Sequence, residues 1–209
     1  RAISYNLSAD YYSKRYQFSI NLFRTNLKDK IQFSPADDEV KKFGYSYQWE
    51  NVDDAYVQGI ELGAKASIAR NLTAGINWTF NQGKFKHERA EWSDPNDESV
   101  KEFPQRLKYA KESRYISRFP GMTGDFDIDY TPGTWTFSLT SSLQGSMYID
   151  YNSEDAGQNS KIKKTSTFML FNCRASKRFG MCTVYAGAKN IFSYIQDEKH
   201  TDDAAFMYA

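Results

Sequence analysis

Two histidines and a scatter of large aromatic rings are the residues of this 209-residue chain whose types could do chemistry. Neutral imidazole is a common metal ligand, which makes His87 and His200 candidates for contact with a metal or a metal chelate. Neither stands in a spaced ligand motif, and each reads first as a solvated loop side chain. Trp49, Trp92, Tyr148 and Tyr151 offer flat faces to a planar ligand or a sugar, with interfacial anchoring an equal account of the two tyrosines. His200 with Asp202 and Asp203 is the one local set suggestive of a hydrolase. Proximity within a loop does not bring a base, an orienting group and a nucleophile into hydrogen-bond reach, so no catalytic residue is assigned. The acidic runs Asp37-Asp38-Glu39 and Asp94 to Glu98 match no calcium loop, and the basic cluster Lys161, Lys163 and Lys164 reads as a solvated loop with some capacity to meet anionic head groups. Cys173 and Cys182 make neither a disulfide framework nor a zinc site. No metal and no cofactor is assigned.

The elements that must position these residues are strands. Ile3, Tyr5, Leu7, Ala9 and Tyr11 alternate with Ser4, Asn6, Ser8 and Asp10, and after Ser13-Lys14 the alternation resumes with Tyr16, Phe18, Ile20 and Leu22. A period of two means β-strand. A second pair, about Ile60–Ile68 and Leu72–Phe80, turns at Arg70-Asn71; a third, about Met122–Tyr130 and Trp135–Leu143, turns at Thr131-Pro132-Gly133. A fourth runs from about Thr167 to Ala175, turns near Lys177-Arg178-Phe179-Gly180 and returns through Cys182 to Ala188, with pairing expected across Lys177-Arg178. That turn would put Cys173 opposite Cys182. The phase change near Leu22-Phe23 suggests a bulge, and Lys84 to Phe119 reads as a large loop with one short helix. The four turns are short while the connections near Asp38, Asp94, Ala156 and Asp202 are long, and aromatic residues bracket the short turns. That asymmetry is the pattern of an outer-membrane barrel, with short periplasmic turns, long extracellular loops and aromatic girdles.

Composition sets bounds on this reading. A chain that is 40% apolar and 16% aromatic is no disordered polymer. A mean hydropathy of -0.70 with no long apolar run excludes a transmembrane helix but not a barrel, whose strands are apolar on one side only. Lys+Arg 27 against Asp+Glu 26 gives no global charge argument for nucleic acid as a partner. No leader segment opens the chain, and Arg1-Ala2-Ile3 enters a strand directly, as expected of a piece of a longer protein.

Three segments together resemble the C-terminal barrel portion of TonB-dependent outer-membrane receptors, especially those of Bacteroides-like bacteria. Glu50 to Leu62 (ENVDDAYVQGIEL) is similar to a strand entry of that family, Asn71 to Phe80 (NLTAGINWTF) to the strand after it, and Val184 to Phe192 (VYAGAKNIF) to its penultimate strand with the K-N-L-F signature. The resemblance implies an all-β fold, an antiparallel transmembrane β-barrel segment of about eight strands from a larger barrel of about 22. Residues 1-209 would then be a partial barrel domain without the N-terminal plug, the early strands and the final strand, since the chain stops at Phe206-Met207-Tyr208-Ala209 where the family continues to a closing aromatic residue.

The implied function is active transport, not enzymatic: capture of a bulky, scarce nutrient outside the cell, whether a ferric siderophore, haem, cobalamin or a glycan. A TonB-type inner-membrane complex would supply energy through the missing N-terminal part. Other implied partners are outer-membrane lipid, lipopolysaccharide, the small-molecule or glycan ligand and a surface lipoprotein; nucleic acid is not among them. Outer-loop residues would catch the ligand, which makes Trp49, His87, Trp92, Tyr148, Tyr151 and His200 the expected contacts, the histidines toward haem iron or a chelate. A soluble β-sandwich that binds carbohydrate and an outer-membrane barrel hydrolase are the alternatives. Within the third hairpin, Phe126, Ile128, Tyr130 and Phe137 should face lipid while Asp125, Asp127 and Asp129 face water.

Overall fold

The computed structural model describes residues 1–28, 31–35, 38–45, 47–51, 54–151 and 161–195. Among the described residues twelve strands follow one another: β1 (Ala2–Tyr12), β2 (Tyr16–Leu27), β3 (Ile31–Pro35), β4 (Tyr47–Asn51), β5 (Ala55–Ala69), β6 (Leu72–Phe85), β7 (Met122–Tyr130), β8 (Trp135–Gln144), β9 (Tyr148–Tyr151), β10 (Lys161–Lys164), β11 (Phe168–Phe179) and β12 (Cys182–Ala188). Eight of them make one antiparallel sheet in the order β1-β2-β5-β6-β7-β8-β11-β12, in which chain neighbours are also spatial neighbours. The other four form two small hairpins, β3–β4 and β9–β10, which rise from the connections at the long-loop end. A soluble sandwich needs a second broad sheet against the first, and among the described residues the remaining sheets have only two strands each.

Paired residues in an antiparallel ladder point to the same side, so the register sorts every side chain into one of two faces. On the apolar face lie rows such as Leu7–Leu22–Ile60–Phe80 and Ala9–Ile20–Leu62–Trp78. The same face continues through Ile76–Phe126, Ala74–Ile128–Leu139–Cys173 and Leu72–Tyr130–Phe137–Ala175. Large apolar side chains remain uncovered there, with Leu7 at 69% and Phe18 at 50% exposure, more than a water-facing sheet would leave. The opposite face is hydrogen-bonded polar surface. Asn77 Nδ2 donates to Asp125 at 2.7 Å, Asn21 Nδ2 to Glu61 at 2.9 Å, and Ser138 Oγ to Asp129. The expected division of the third hairpin, Phe126, Ile128 and Tyr130 against Asp125, Asp127 and Asp129, is therefore the observed one.

Three local expectations are corrected. β2 runs in unbroken register with both neighbours through Leu22-Phe23, so no bulge lies there. Instead the apolar face itself ends: the next residues on it are Arg24 and Asn26, while Phe23 sits on the polar face opposite Gly59, where any Cβ would strike the Phe23 ring and the Phe80 carbonyl. The one register shift falls in the β5–β6 pair between Ser67 and Ala69. The last hairpin turns at Gly180-Met181, at the far end of the expected stretch, and pairs across those residues rather than across Lys177-Arg178; Gly180 takes φ +57°, a conformation that favours glycine. Cys182 therefore opposes Phe179, and Cys173 opposes Ala188. The cysteines share a face but stand six residues apart along the ladder, about 20 Å at the usual strand rise. Finally, the segment after β6 holds two short α-helices, Ala90–Ser93 and Glu98–Glu102, and two 3-10 turns, Pro104–Tyr109 and Glu112–Arg114, where one helix was expected.

Aromatic residues collect on the apolar face at the short-turn end. Tyr11 and Tyr16 each stack on Phe18 at 6.3 and 6.4 Å, and Tyr130 and Trp135 flank Phe137 at 6.4 and 5.6 Å. Lys177, on the same face, places its ammonium 4.8 Å from both the Trp135 and Phe179 rings, the posture of a chain reaching past apolar surface toward a polar boundary.

Candidate binding surface at the long-loop end

The long connection between β6 and β7 is packed, not loose. Phe85, Trp92 and Val100 are each 2% exposed, and Met147, just before β9, joins Ile149 and Ile162 of the β9–β10 hairpin in the buried set. Polar groups tie these pieces together. Arg89 places Nη1 and Nη2 on the two oxygens of Asp150 at 2.7 and 2.8 Å, while its Nε donates to the Ser113 carbonyl at 3.0 Å. The Arg89 backbone N–H donates to Ser113 Oγ at 3.1 Å, and that hydroxyl donates to the Ala110 carbonyl at 2.6 Å. A bidentate guanidinium–carboxylate pair fixes orientation as well as distance, so this contact helps to dock the loop onto the hairpin.

Charge balance here follows from burial. Burial works against the charged form of Arg89, yet the hydrogen bonds and charge of Asp150 outweigh it and hold the guanidinium above its ordinary range. Burial pushes the Glu91 carboxyl up, although Arg89 Nη1 stands 3.4 Å away and opposes the shift. Burial lowers Arg106, whose guanidinium lies over the rings of Trp92 and Phe103 at 4.9 and 5.3 Å. The Tyr148 phenol is raised by burial and by its neighbours Tyr115 and Glu112.

The expected ligand contacts take different positions at the long-loop end. Trp92 is part of the loop's own core: Tyr109 meets it edge-on at 6.2 Å and Arg106 covers a ring face. Trp49 is 72% exposed in β4, opposite Phe33 across the small β3–β4 hairpin. His87 is exposed in the connection just past β6. Tyr151 ends β9 opposite Lys161. His200, with Asp202 and Asp203, lies outside the described residues. Tyr148 holds a stacked position, with its ring 4.4 Å from that of Tyr115 at an interplanar angle of 25°.

Sequence reasoning missed Arg89, Ser113 and Asp150. Their chain separations of 24 and 61 residues leave no local pattern. It also assigned no role within the K-N-I-F segment. There Asn190, at φ +49°, donates its backbone N–H to Asn172 Oδ1, donates from Nδ2 to the Tyr194 carbonyl and accepts at Oδ1 from the Tyr194 N–H, each at 2.9 to 3.0 Å. The side chain thus closes a turn as the chain leaves β12, and Phe192 packs edge-on against Phe171 at 5.2 Å.

Comparison with known proteins agrees with this geometry. Residues 1–191 match the family model described as TonB dependent receptor-like, beta-barrel. Among solved structures, the copper transporter OprC superposes with a TM-score of 0.66 at 18% identity over 95% of this chain and 26% of its own. The ferric citrate transporter FecA in its unliganded form gives 0.65 at 19% identity over 92% and 26%. The ferric yersiniabactin uptake receptor FyuA from Yersinia pestis gives 0.63 at 15% identity over 94% and 27%. The chain thus spans about a quarter of the length of these proteins.

Proposed function

The chain belongs to the TonB-dependent receptor β-barrel family, and on that premise we propose that it forms part of the wall of an outer-membrane receptor that imports a scarce nutrient with energy from a TonB-type partner. The observation that carries this reading is the division of the sheet: one uncovered apolar face, one hydrogen-bonded polar face, and connections that alternate short and long. A barrel wall in an outer membrane requires all three. The apolar face meets lipid, the polar face lines the lumen, and the packed loops lie outside the cell. Conduction through a plugged lumen is then a matter for the rest of the protein, with no catalytic step.

For the cargo we favour a metal or metal chelate over cobalamin or a glycan, because the structural neighbours above are named for copper, ferric citrate and ferric yersiniabactin. The test is uptake of radiolabelled ferric citrate and ferric siderophores by cells that carry the full-length receptor. Transport should fall to background when the TonB-type partner is deleted, and an epitope inserted at Asn96 should be labelled on intact cells. Uptake indifferent to that deletion would overturn the reading.

A further inference from the structure

We propose that the short-turn rim of the wall is a docking surface for peptidoglycan, a carboxylate-bearing glycan-peptide polymer, held by Lys14, Arg15, Arg70 and Arg178. The proposal rests on the membrane reading above, because it needs the short turns to face the periplasm.

Charge is distributed unequally between the two ends of the sheet. The long connection Lys84 to Phe119 mixes both signs. The four reversals, at residues 13–15, 70–71, 131–134 and 180–181, together with the adjoining pair 177–178, carry Lys14, Arg15, Arg70, Lys177 and Arg178 and no carboxylate. The acids that come next in the chain, Asp10 and Asp129, lie inside β1 and β7. Backbone hydrogen bonds join the reversals into one continuous rim. The Ser67 N–H donates to the Arg15 carbonyl at 2.8 Å, Thr131 to Asn71 at 2.8 Å and Arg178 to Thr134 at 2.9 Å, so each turn is tied to the next. Within the first, the Ser13 N–H donates to the Tyr16 carbonyl at 2.8 Å, and the Ser13 hydroxyl accepts from the Tyr16 N–H at 3.0 Å. Lys14 and Arg15 thus stand at the tip of a braced reversal. Successive turns are two strand spacings apart, about 10 Å, which sets Arg70 about 10 Å from the first pair and Arg178 about 20 Å beyond it. All four are exposed, and among the described residues no ion pair uses any of them.

Facing then selects the occupant. Lys177 lies on the apolar face over the Trp135 and Phe179 rings and addresses lipid head groups. Arg178, the next residue along β11, points to the opposite face, and Lys14, Arg15 and Arg70 lie in the reversals themselves, beyond the last apolar rows. These four therefore address the aqueous compartment under the membrane. Three of them are arginines, whose planar fork meets a carboxylate through two parallel hydrogen bonds. Tyr12, 69% exposed on the polar face beside the first turn, adds a ring suited to sugar. Cations fixed at intervals along a stitched rim, with an exposed ring among them, fit a polymer that repeats carboxylate and sugar; a single phosphate head group would span one turn only.

The test is co-sedimentation of the full-length receptor, held in phosphatidylcholine nanodiscs, with purified peptidoglycan sacculi stripped of attached lipoprotein. A second arm uses sacculi whose carboxyls have been amidated, and a third replaces sacculi with phosphatidylglycerol vesicles. Wild type should bind native sacculi, less as salt rises, and should bind amidated sacculi weakly. Lys14→Gln/Arg15→Gln/Arg70→Gln/Arg178→Gln should weaken binding to native sacculi by about two orders of magnitude, taking each exposed cation as worth roughly threefold to fivefold at an anionic surface. Lys14→Gln/Arg15→Gln, confined to one turn, should lose about tenfold on the same count and serves if the quadruple variant folds poorly, with heat-dependent gel migration as the check on folding. Lys86→Gln/Lys101→Gln/Lys108→Gln/Lys111→Gln makes the same charge change at the long-loop end and should bind as wild type. Unchanged binding by the folded rim variants, an equal loss in the long-loop variant, equal binding of amidated sacculi, or a loss confined to phosphatidylglycerol vesicles would overturn the proposal while leaving the barrel reading intact. Antibody labelling, on intact cells, of an epitope inserted at Pro132 would instead overturn the orientation beneath it.

Discussion

Replacing Ile76 with arginine tests the two-faced wall most directly. Along β6 the apolar face runs from Leu72, level with Tyr130, to Phe80, level with Met122, with Ile76 opposite Phe126 in the middle row. Eight residue steps are about 27 Å along the strand, or about 20 Å across the membrane at a tilt near 40°, so Ile76 lies about 10 Å from either edge. At that depth an arginine on the lipid side costs about 2 to 4 kcal/mol. A 3 kcal/mol loss is roughly a 150-fold shift in the folding equilibrium. Ile128→Arg, one row toward the short turns, should cost less, and Leu72→Arg, at the edge, about 0 to 1 kcal/mol. Thr140→Arg is the control: it is exposed on the polar face, paired with Asp127 and Asn172, and should change stability by no more than about 0.5 kcal/mol. The assay is reversible guanidinium unfolding of the full-length receptor in phosphatidylcholine vesicles, followed by tryptophan fluorescence and by heat-dependent migration in gels. Equal costs at Ile76 and Thr140, or no gradient from Ile76 to Leu72, would refute the face assignment.

Three further outcomes follow from the loop and the last hairpin. Arg89→Ala strips Asp150 and the Ser113 carbonyl of their shared donor, so docking of the Glu88–Arg114 segment should weaken by about 2 to 4 kcal/mol, seen as faster proteolysis within it while the barrel migrates normally. Glu91 binds its proton more tightly in the folded loop than in the unfolded chain, so its contribution is present at acid pH and declines as pH rises from the ordinary carboxylate range through the raised value. Glu91→Gln should therefore protect the loop from protease at neutral pH and change nothing near pH 4; protection that is independent of pH would contradict this sign. A thiol crosslinker shorter than about 10 Å should fail to join Cys173 to Cys182, which the register separates by about 20 Å; efficient intramolecular crosslinking would restore the alternative register.

Strand identity and facing were legible in the chain because a period of two is a local property: Met122 to Tyr130 displays both faces without reference to any neighbour. Connection lengths and the family resemblance were likewise local, and together they determined an antiparallel barrel wall. What required tertiary structure was everything set by pairing at a distance. The turn at Gly180-Met181 depends on a backbone conformation at φ +57° and on the ladder with β8, not on the charged pair Lys177-Arg178 that marks it in sequence. The apparent phase break at Phe23 is an accommodation between strands, since the ring fits only because Gly59 has no side chain. Trp92 reads as a ligand platform in a polar loop until that loop folds over it. Arg89 and Asp150, 61 residues apart, carry no signature in the chain, because long-range neighbours are chosen by register and burial rather than by sequence spacing.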